Sequence, residues 1–314
     1  MHTGELKLCV IGLGNMGRNH VRALASDARA ALVGVSDPSL DARERCPLPR
    51  GARVYDDWRR MLDRERPDGV VVAVPADRHV EVAKAALARG AHALVEKPIA
   101  TTEAGARELM AAATEHRRRL MVGHIERFNP AVRELARQLA GGDAGRIVQL
   151  EARRHSPYRA RVDHVGVAID LATHDLELMH FLTGARVTRA HAETRRVSAD
   201  TREDMMCGLL RFETGAIGLL DVSWMAPAKR RELSVVTERA RFDVDYLAQT
   251  LVVGRGDHVR RVDVERAEPL RGELDAFLDC VEHDAPPLVG AAEGLEALRV
   301  AIALAESGRA GEAG

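Results

Sequence analysis

The strongest constraint on the fold is the hexapeptide Gly12-Leu13-Gly14-Asn15-Met16-Gly17. It closes an apolar run, LKLCVIG at 6 to 12, and opens a segment of helical spacing over 16 to 25. Glycines at these three positions serve a tight turn, a close backbone approach by a ligand, and close packing of helix on sheet, while the helix start offers free N–H groups to an anion. A second β-like run, ALVGVSD at 31 to 37, completes a βαβ unit and ends in Asp37, 20 residues beyond Gly17. A carboxylate there accepts from a ribose hydroxyl and repels a 2′-phosphate, which favours NAD; Arg43 nearby leaves NADP open. Gly12, Gly14, Asn15, Met16, Gly17 and Asp37 are the expected dinucleotide contacts.

The alternation continues with a helix near 56 to 64, the run GVVVAVP at 69 to 75, a helix over 79 to 89, the run HALVEKP at 92 to 98, a helix over 102 to 117 and RLMVGH at 119 to 124. Continuous apolar runs separated by helices predict parallel strands covered on both faces, a doubly wound sheet. Beyond 124 one helical segment, 166 to 183, precedes consecutive strand-like segments at 187 to 197, 204 to 212, 216 to 224, 231 to 237, 240 to 246 and 249 to 254, with helices at 272 to 283 and 291 to 307 closing the chain. The expected fold class is α/β: a Rossmann domain over 1 to 123, then an α/β domain over 124 to 314 on an open, mainly antiparallel sheet, its last helix returning towards the first domain.

A net charge of −1 from 46 basic and 47 acidic residues gives no field to attract nucleic acid or an anionic membrane, so the expected partner is a small molecule. Four scattered cysteines without metal-site spacing, and no secretory or membrane-spanning segment near the start, point to a reducing, cytoplasmic setting. Lys97 is one of only four lysines and sits at the carboxyl end of a predicted strand, where doubly wound sheets bind ligands. A partly desolvated ammonium can exchange its proton there, and a guanidinium cannot; from spacing alone a surface pair with Glu96 is equally open. In DLATHD, Asp170 and His174 lie one helical turn apart, placing a carboxylate and an imidazole on one face for acid–base work, or simply on a solvated face.

The GxGxxG loop, the tripeptide Glu96-Lys97-Pro98, VPADRH at 74 to 79, the later DxxxH helix and the closing LEALRVAIALAES together resemble the Gfo/Idh/MocA family over nearly the whole chain. The resemblance implies a nicotinamide-dependent dehydrogenase of sugars or polyols, with Lys97 and His174 flanking the reacting carbon, His174 exchanging the hydroxyl proton and Asp170 binding a substrate hydroxyl. Pro75, His79, Glu96 and Lys97 would line the cofactor. GHIERFNPAV at 123 to 132 and VGVAIDLATHDLEL at 165 to 178 look most like the branch oxidising the 3-hydroxyl of nucleotide-linked amino sugars. On that reading Arg127 and Asn129 meet the substrate, and Tyr158 and Arg161, with Arg153 and Arg159, engage its base and diphosphate. The resemblance also implies a homo-oligomer, dimer or tetramer, assembled through the second sheet. Inositol, free-sugar and sugar-phosphate dehydrogenases, or a non-catalytic dinucleotide sensor, are the alternatives.

Overall fold

The computed structural model describes residues 5 to 157, 165 to 197 and 202 to 312. The chain divides into two compact units: residues up to His124 together with Leu270–Leu295, and Ile125–Pro269 with Glu296 onward.

In the first unit β1 (Leu6–Ile11), α1 (Asn15–Leu24), β2 (Ala30–Ser36), α2 (Leu40–Glu44), β3 (Arg53–Tyr55), α3 (Trp58–Glu65), β4 (Gly69–Val72), α4 (His79–Ala88), β5 (His92–Glu96), α5 (Glu103–Glu115) and β6 (Leu120–Gly123) follow in order. The six strands form one parallel sheet, β3-β2-β1-β4-β5-β6. Val70, Val71, Val72, Leu94 and Val95 are all fully buried, the reason these runs are unbroken rather than alternating. Thr102 caps α5 by accepting from the Gly105 amide, and Asp57 caps α3 from the Arg59 amide. Strand order reverses between β1 and β4, so the crevice of this sheet lies at the carboxyl ends of those strands.

The second unit contains α6 (Pro130–Ala140), β7 (Ile147–His155), α7 (Thr173–Thr183), β8 (Val187–Arg195), β9 (Met205–Phe212), β10 (Ile217–Ser223), β11 (Arg230–Thr237), β12 (Arg241–Asp245), β13 (Thr250–Arg255) and β14 (His258–Val262). Its eight strands run β14-β13-β12-β11-β7-β10-β9-β8, every pair antiparallel except β7 with β10. One sheet face packs a core that includes Leu150, Phe212, Leu220, Phe242 and Leu251 with Leu135 of α6 and Leu176 of α7. Strands β7 and β14 and helix α6 fall where the sequence reading placed no element. In β7 the obstacle is physical: an arginine, Arg154, occupies an inward position where alternation demands an apolar side chain.

The last helices are α8 (Pro269–His283) and α9 (Ala291–Glu312). The stretch 270 to 295, assigned by sequence to the second domain, packs in the first, because α8 carries its apolar face onto the parallel sheet. Phe277 is fully buried, and a Cβ on Gly69 would stand only 3.1 Å from its ring. Burying Leu274, Phe277 and Leu278 contributes roughly 1.5 to 3 kcal/mol each. The main chain at Val289 then extends the sheet edge, accepting from the Val122 amide at 2.9 Å.

Candidate active site

The glycine loop performs three separate jobs in the first unit. Gly12 has φ +93°, and a Cβ there would meet the Ala73 carbonyl oxygen at 2.4 Å; a Cβ on Gly17 would lie 1.8 Å from the Gly12 carbonyl oxygen. Both positions exclude any side chain. Gly14 is different: a Cβ there would have no heavy atom within 4 Å, its φ is an ordinary −62°, and it caps the start of α1, where Asn15 is exposed and Met16 half-buried. Nothing among the described residues needs glycine there, whereas a phosphate approaching the helix amino end would. Asp37 is drawn onto the same loop, its carboxylate accepting from the Leu13 amide at 2.7 Å and the Ser39 amide at 2.8 Å. The residues present therefore fit a dinucleotide.

Lys97, half-buried, follows the last residue of β5. Pro75 is exposed, but His79 and Glu96 are interior groups. The His79 ring spans the Val74 carbonyl, 2.9 Å from Nε2, and the Pro98 carbonyl, 2.7 Å from Nδ1, tying the segment after β4 to the segment after β5. Burial pulls its pKa below the usual histidine value against the opposing pull of the two carbonyls. Glu96 pairs with His20 of α1 at 2.7 Å. Glu273 of α8 completes a buried group with them, a ring nitrogen of His20 and one carboxylate oxygen each of Glu96 and Glu273 lying within 4.8 Å of one another. Sequence reading missed His20 and Glu273, since their encounter joins three distant segments.

In the second unit the helix bearing Asp170 and His174 does not start as an α-helix. Ala168–Ala172 is a π turn, and α7 begins at Thr173, so the two residues straddle the change of winding. Such single π turns within helices recur at functional sites. Its start is fixed by Glu203, whose Oε1 accepts from the Ala168 amide at 3.1 Å and whose main-chain carbonyl accepts from Val167. Both Asp170 and His174 are half-buried.

Next to His174, Asp175 is wholly buried and anchors the helix to the sheet. Arg154 of β7 grips it bidentately at 2.7 and 3.0 Å and also donates to Glu126 at 3.1 Å. The Tyr246 hydroxyl donates to Asp175 at 3.2 Å. Burial works against the Arg154 charge, but Asp175 and Glu126 outweigh it and hold its pKa above the ordinary arginine value; burial, followed by the Asp175 charge, raises Tyr246 well above the usual phenol value. No sequence signal marked this network beyond the Asp beside His174.

Arg127 donates to Glu177 at 2.6 Å and stacks over Phe181 at 3.4 Å. Asn129 is buried, capping α6 through the Ala131 amide and donating to the Tyr246 carbonyl and Glu126. Both side chains are thus engaged inside the second unit. Arg153, on β7, pairs with Glu151. Tyr158, Arg159 and Arg161 lie outside the described residues.

Residues 6–124 match the model of the oxidoreductase family with NAD-binding Rossmann fold, GFO_IDH_MocA, and residues 132–243 match the GFO/IDH/MocA C-terminal domain. The chain is 28% identical to the UDP-N-acetylglucosamine 3-dehydrogenase of Acidithiobacillus ferrooxidans over 308 residues, 95% of this chain and 96% of the relative. The inositol 2-dehydrogenase 2 of Saccharopolyspora erythraea is 34% identical over 223 residues, 69% of this chain and 66% of that one. The solved structure of the A. ferrooxidans enzyme superposes with a TM-score of 0.88, covering 98% of this chain and 99% of that chain at 28% identity.

Proposed function

We propose, since the chain belongs to the Gfo/Idh/MocA family of NAD-binding oxidoreductases, that it oxidises a secondary alcohol of a sugar, the 3-hydroxyl of a nucleotide-linked amino sugar, to the ketone. The observation carrying the substrate assignment is the similarity to the UDP-N-acetylglucosamine 3-dehydrogenase, which extends over 95% of this chain. NAD, held by the loop Gly12 to Gly17 and by Asp37, supplies the hydride acceptor when bound. The chain's own contribution is positional and protonic. Lys97 donates to the reacting hydroxyl oxygen, His174 accepts its proton, and Asp170 accepts from a neighbouring hydroxyl. The Arg154–Asp175 pair supports this reading, because it fixes the helix turn that carries His174.

Among the described residues no helix is long and apolar enough to cross a membrane. We place the protein in the cytoplasm, in keeping with four free cysteines. We further assign a homo-oligomer formed through the outer face of the eight-stranded sheet, where Met205 and Leu209 of β9 stand exposed. Light scattering of Leu209→Glu against the unaltered chain tests that face.

The deciding experiment offers NAD with UDP-N-acetylglucosamine, free N-acetylglucosamine, sugar phosphates and inositols, following NADH absorbance and locating the ketone by NMR. UDP-N-acetylglucosamine should be the preferred substrate, oxidised at carbon 3. Lys97→Ala and His174→Ala should each lower kcat by about 100-fold or more with NAD affinity kept. Turnover of inositols alone would reassign the substrate, and wild-type turnover by either variant would remove the assigned chemistry.

A further inference from the structure

One arginine in the second unit is left without a role by everything described so far. Arg231 lies directly opposite Arg154 in the antiparallel register of β11 with β7. Both side chains are on the covered face: Leu233 and Val235, two and four residues further along β11, are buried in the core beside Leu150 and Ala152. Like charges in directly opposed positions destabilise a sheet.

The two arginines are provided for very unequally. Arg154 takes both oxygens of Asp175 and the nearer contact with Glu126. The Arg231 side chain makes no hydrogen bond among the described residues, its Nε is buried without a partner, and its ion-pair contact is with the same Glu126 oxygen, at 3.8 Å. Burial and then the Arg154 guanidinium pull its pKa below the usual arginine value, while Glu126, Asp175 and Asp170 oppose them. Its side chain nevertheless remains 29% exposed, so the end of the fork reaches solvent, within the electrostatic reach of Asp170. A residue that serves the fold would be better replaced by an uncharged one. A guanidinium that is partly dry and unsatisfied is suited to a bidentate anion.

We propose that Arg231 binds an anionic oxygen group of the substrate, a phosphoryl or carboxylate carried close to the sugar ring whose hydroxyl Asp170 holds. This rests on the reading of Asp170 as a substrate contact, and it makes anionic sugars the preferred class over neutral ones. Two sources share the chemistry: the phosphate on carbon 1 of a nucleotide sugar, and the carboxylate of a uronic acid.

The test compares wild type, Arg231→Gln and Arg231→Lys with UDP-N-acetylglucosamine, its uronic acid counterpart and a neutral sugar, together with calorimetric titration of UDP into the NADH-loaded protein. Arg231→Gln should raise KM for the anionic substrates on the order of 10- to 100-fold, with a smaller change in kcat and no change in NAD affinity. Arg231→Lys should recover only part of the loss, since it keeps the charge and loses the fork. The Tm of Arg231→Gln should equal or exceed that of wild type, because a cross-strand repulsion has gone. A larger effect on the uronic acid than on UDP-N-acetylglucosamine, with unchanged UDP binding, assigns the contact to the carboxylate; loss of UDP binding assigns it to the phosphate. A lowered Tm with unchanged KM would make Arg231 a structural counter-ion of Glu126 and overturn the proposal. Equal KM increases for neutral and anionic sugars would overturn it as well, as would a wild-type enzyme that turns over neutral polyols alone, an outcome that also removes the nucleotide-sugar reading. Anionic turnover that is insensitive to Arg231 leaves that reading standing.

Discussion

The most discriminating perturbation of the cofactor site is a methyl group on one glycine and not on its neighbour. At Gly14 the backbone is in a region that alanine adopts, and nothing lies within 4 Å of the added carbon. Gly14→Ala restricts the unfolded chain, which stabilises by about 0.4 to 1 kcal/mol, and weakens an N-cap by a comparable amount. The two nearly cancel, so the apo protein should melt within a few degrees of wild type. At Gly17 the same methyl would lie 1.8 Å from the Gly12 carbonyl oxygen, so loop and helix must separate and the apo protein should lose several kcal/mol. On the proposed placement of the dinucleotide, the added carbon at Gly14 would lie against the pyrophosphate at the first amides of α1. Loss of one charge-assisted hydrogen bond, about 1.5 to 3 kcal/mol, weakens NAD binding by roughly 10- to 150-fold. Calorimetric titration and melting curves with and without NAD measure both effects. At 100 times the wild-type Kd, NAD stabilises wild type by about 2.7 kcal/mol and a 100-fold weaker binder by about 0.4 kcal/mol. A Gly14→Ala protein that binds NAD as tightly as wild type would show that the open space beside Gly14 is not where the dinucleotide rests.

Glu273, fully buried with neither carboxyl oxygen hydrogen-bonded, has its pKa raised well above 4.5, first by burial and then by the Glu96 charge. The folded chain therefore holds this proton more tightly than the unfolded chain, and the associated stability, complete below about pH 4.5, is lost as pH rises through the folded pKa, by at most about 1.4 kcal/mol per pH unit. Glu273→Gln, neutral throughout, should be more stable than wild type in mildly alkaline buffer, with the difference vanishing on acidification; urea melts across that range measure it. Arg154→Met strands Asp175 and Glu126 in the core and should cost about 3 to 5 kcal/mol, while Arg154→Met with Asp175→Leu and Glu126→Gln should recover most of it. An unchanged urea midpoint for the single variant would refute the anchoring role of that pair.

The parallel sheet was legible because the information is local and redundant: strands buried on both faces are unbroken apolar runs, and the glycines that shape the loop sit within six residues of one another. The consecutive strands of the second unit were legible from 187 to 254 for a related reason, since one covered face imposes alternation; β14, whose residues are nearly all exposed, carries no such pattern. The central strand β7 was not, and the cause is the site itself. Arg154 stands at an inward position and spoils the period-2 pattern that would have announced the strand. Its partners Glu126 and Asp175 are 28 and 21 residues away, and the opposing Arg231 is identified only by the register of β11 on β7. The same holds for Glu273, which meets His20 and Glu96 only because α8 returns to the first sheet. Apolar periodicity registers a buried charge as an error, and spacing rules register an isolated arginine as surface. Register and burial turn these two failures into one statement: the inward arginine that holds its counter-charges at hydrogen-bond distance, as Arg154 does, builds the scaffold, and the one beside it, Arg231, left with a shared Glu126 oxygen at 3.8 Å, is the one we propose for the ligand.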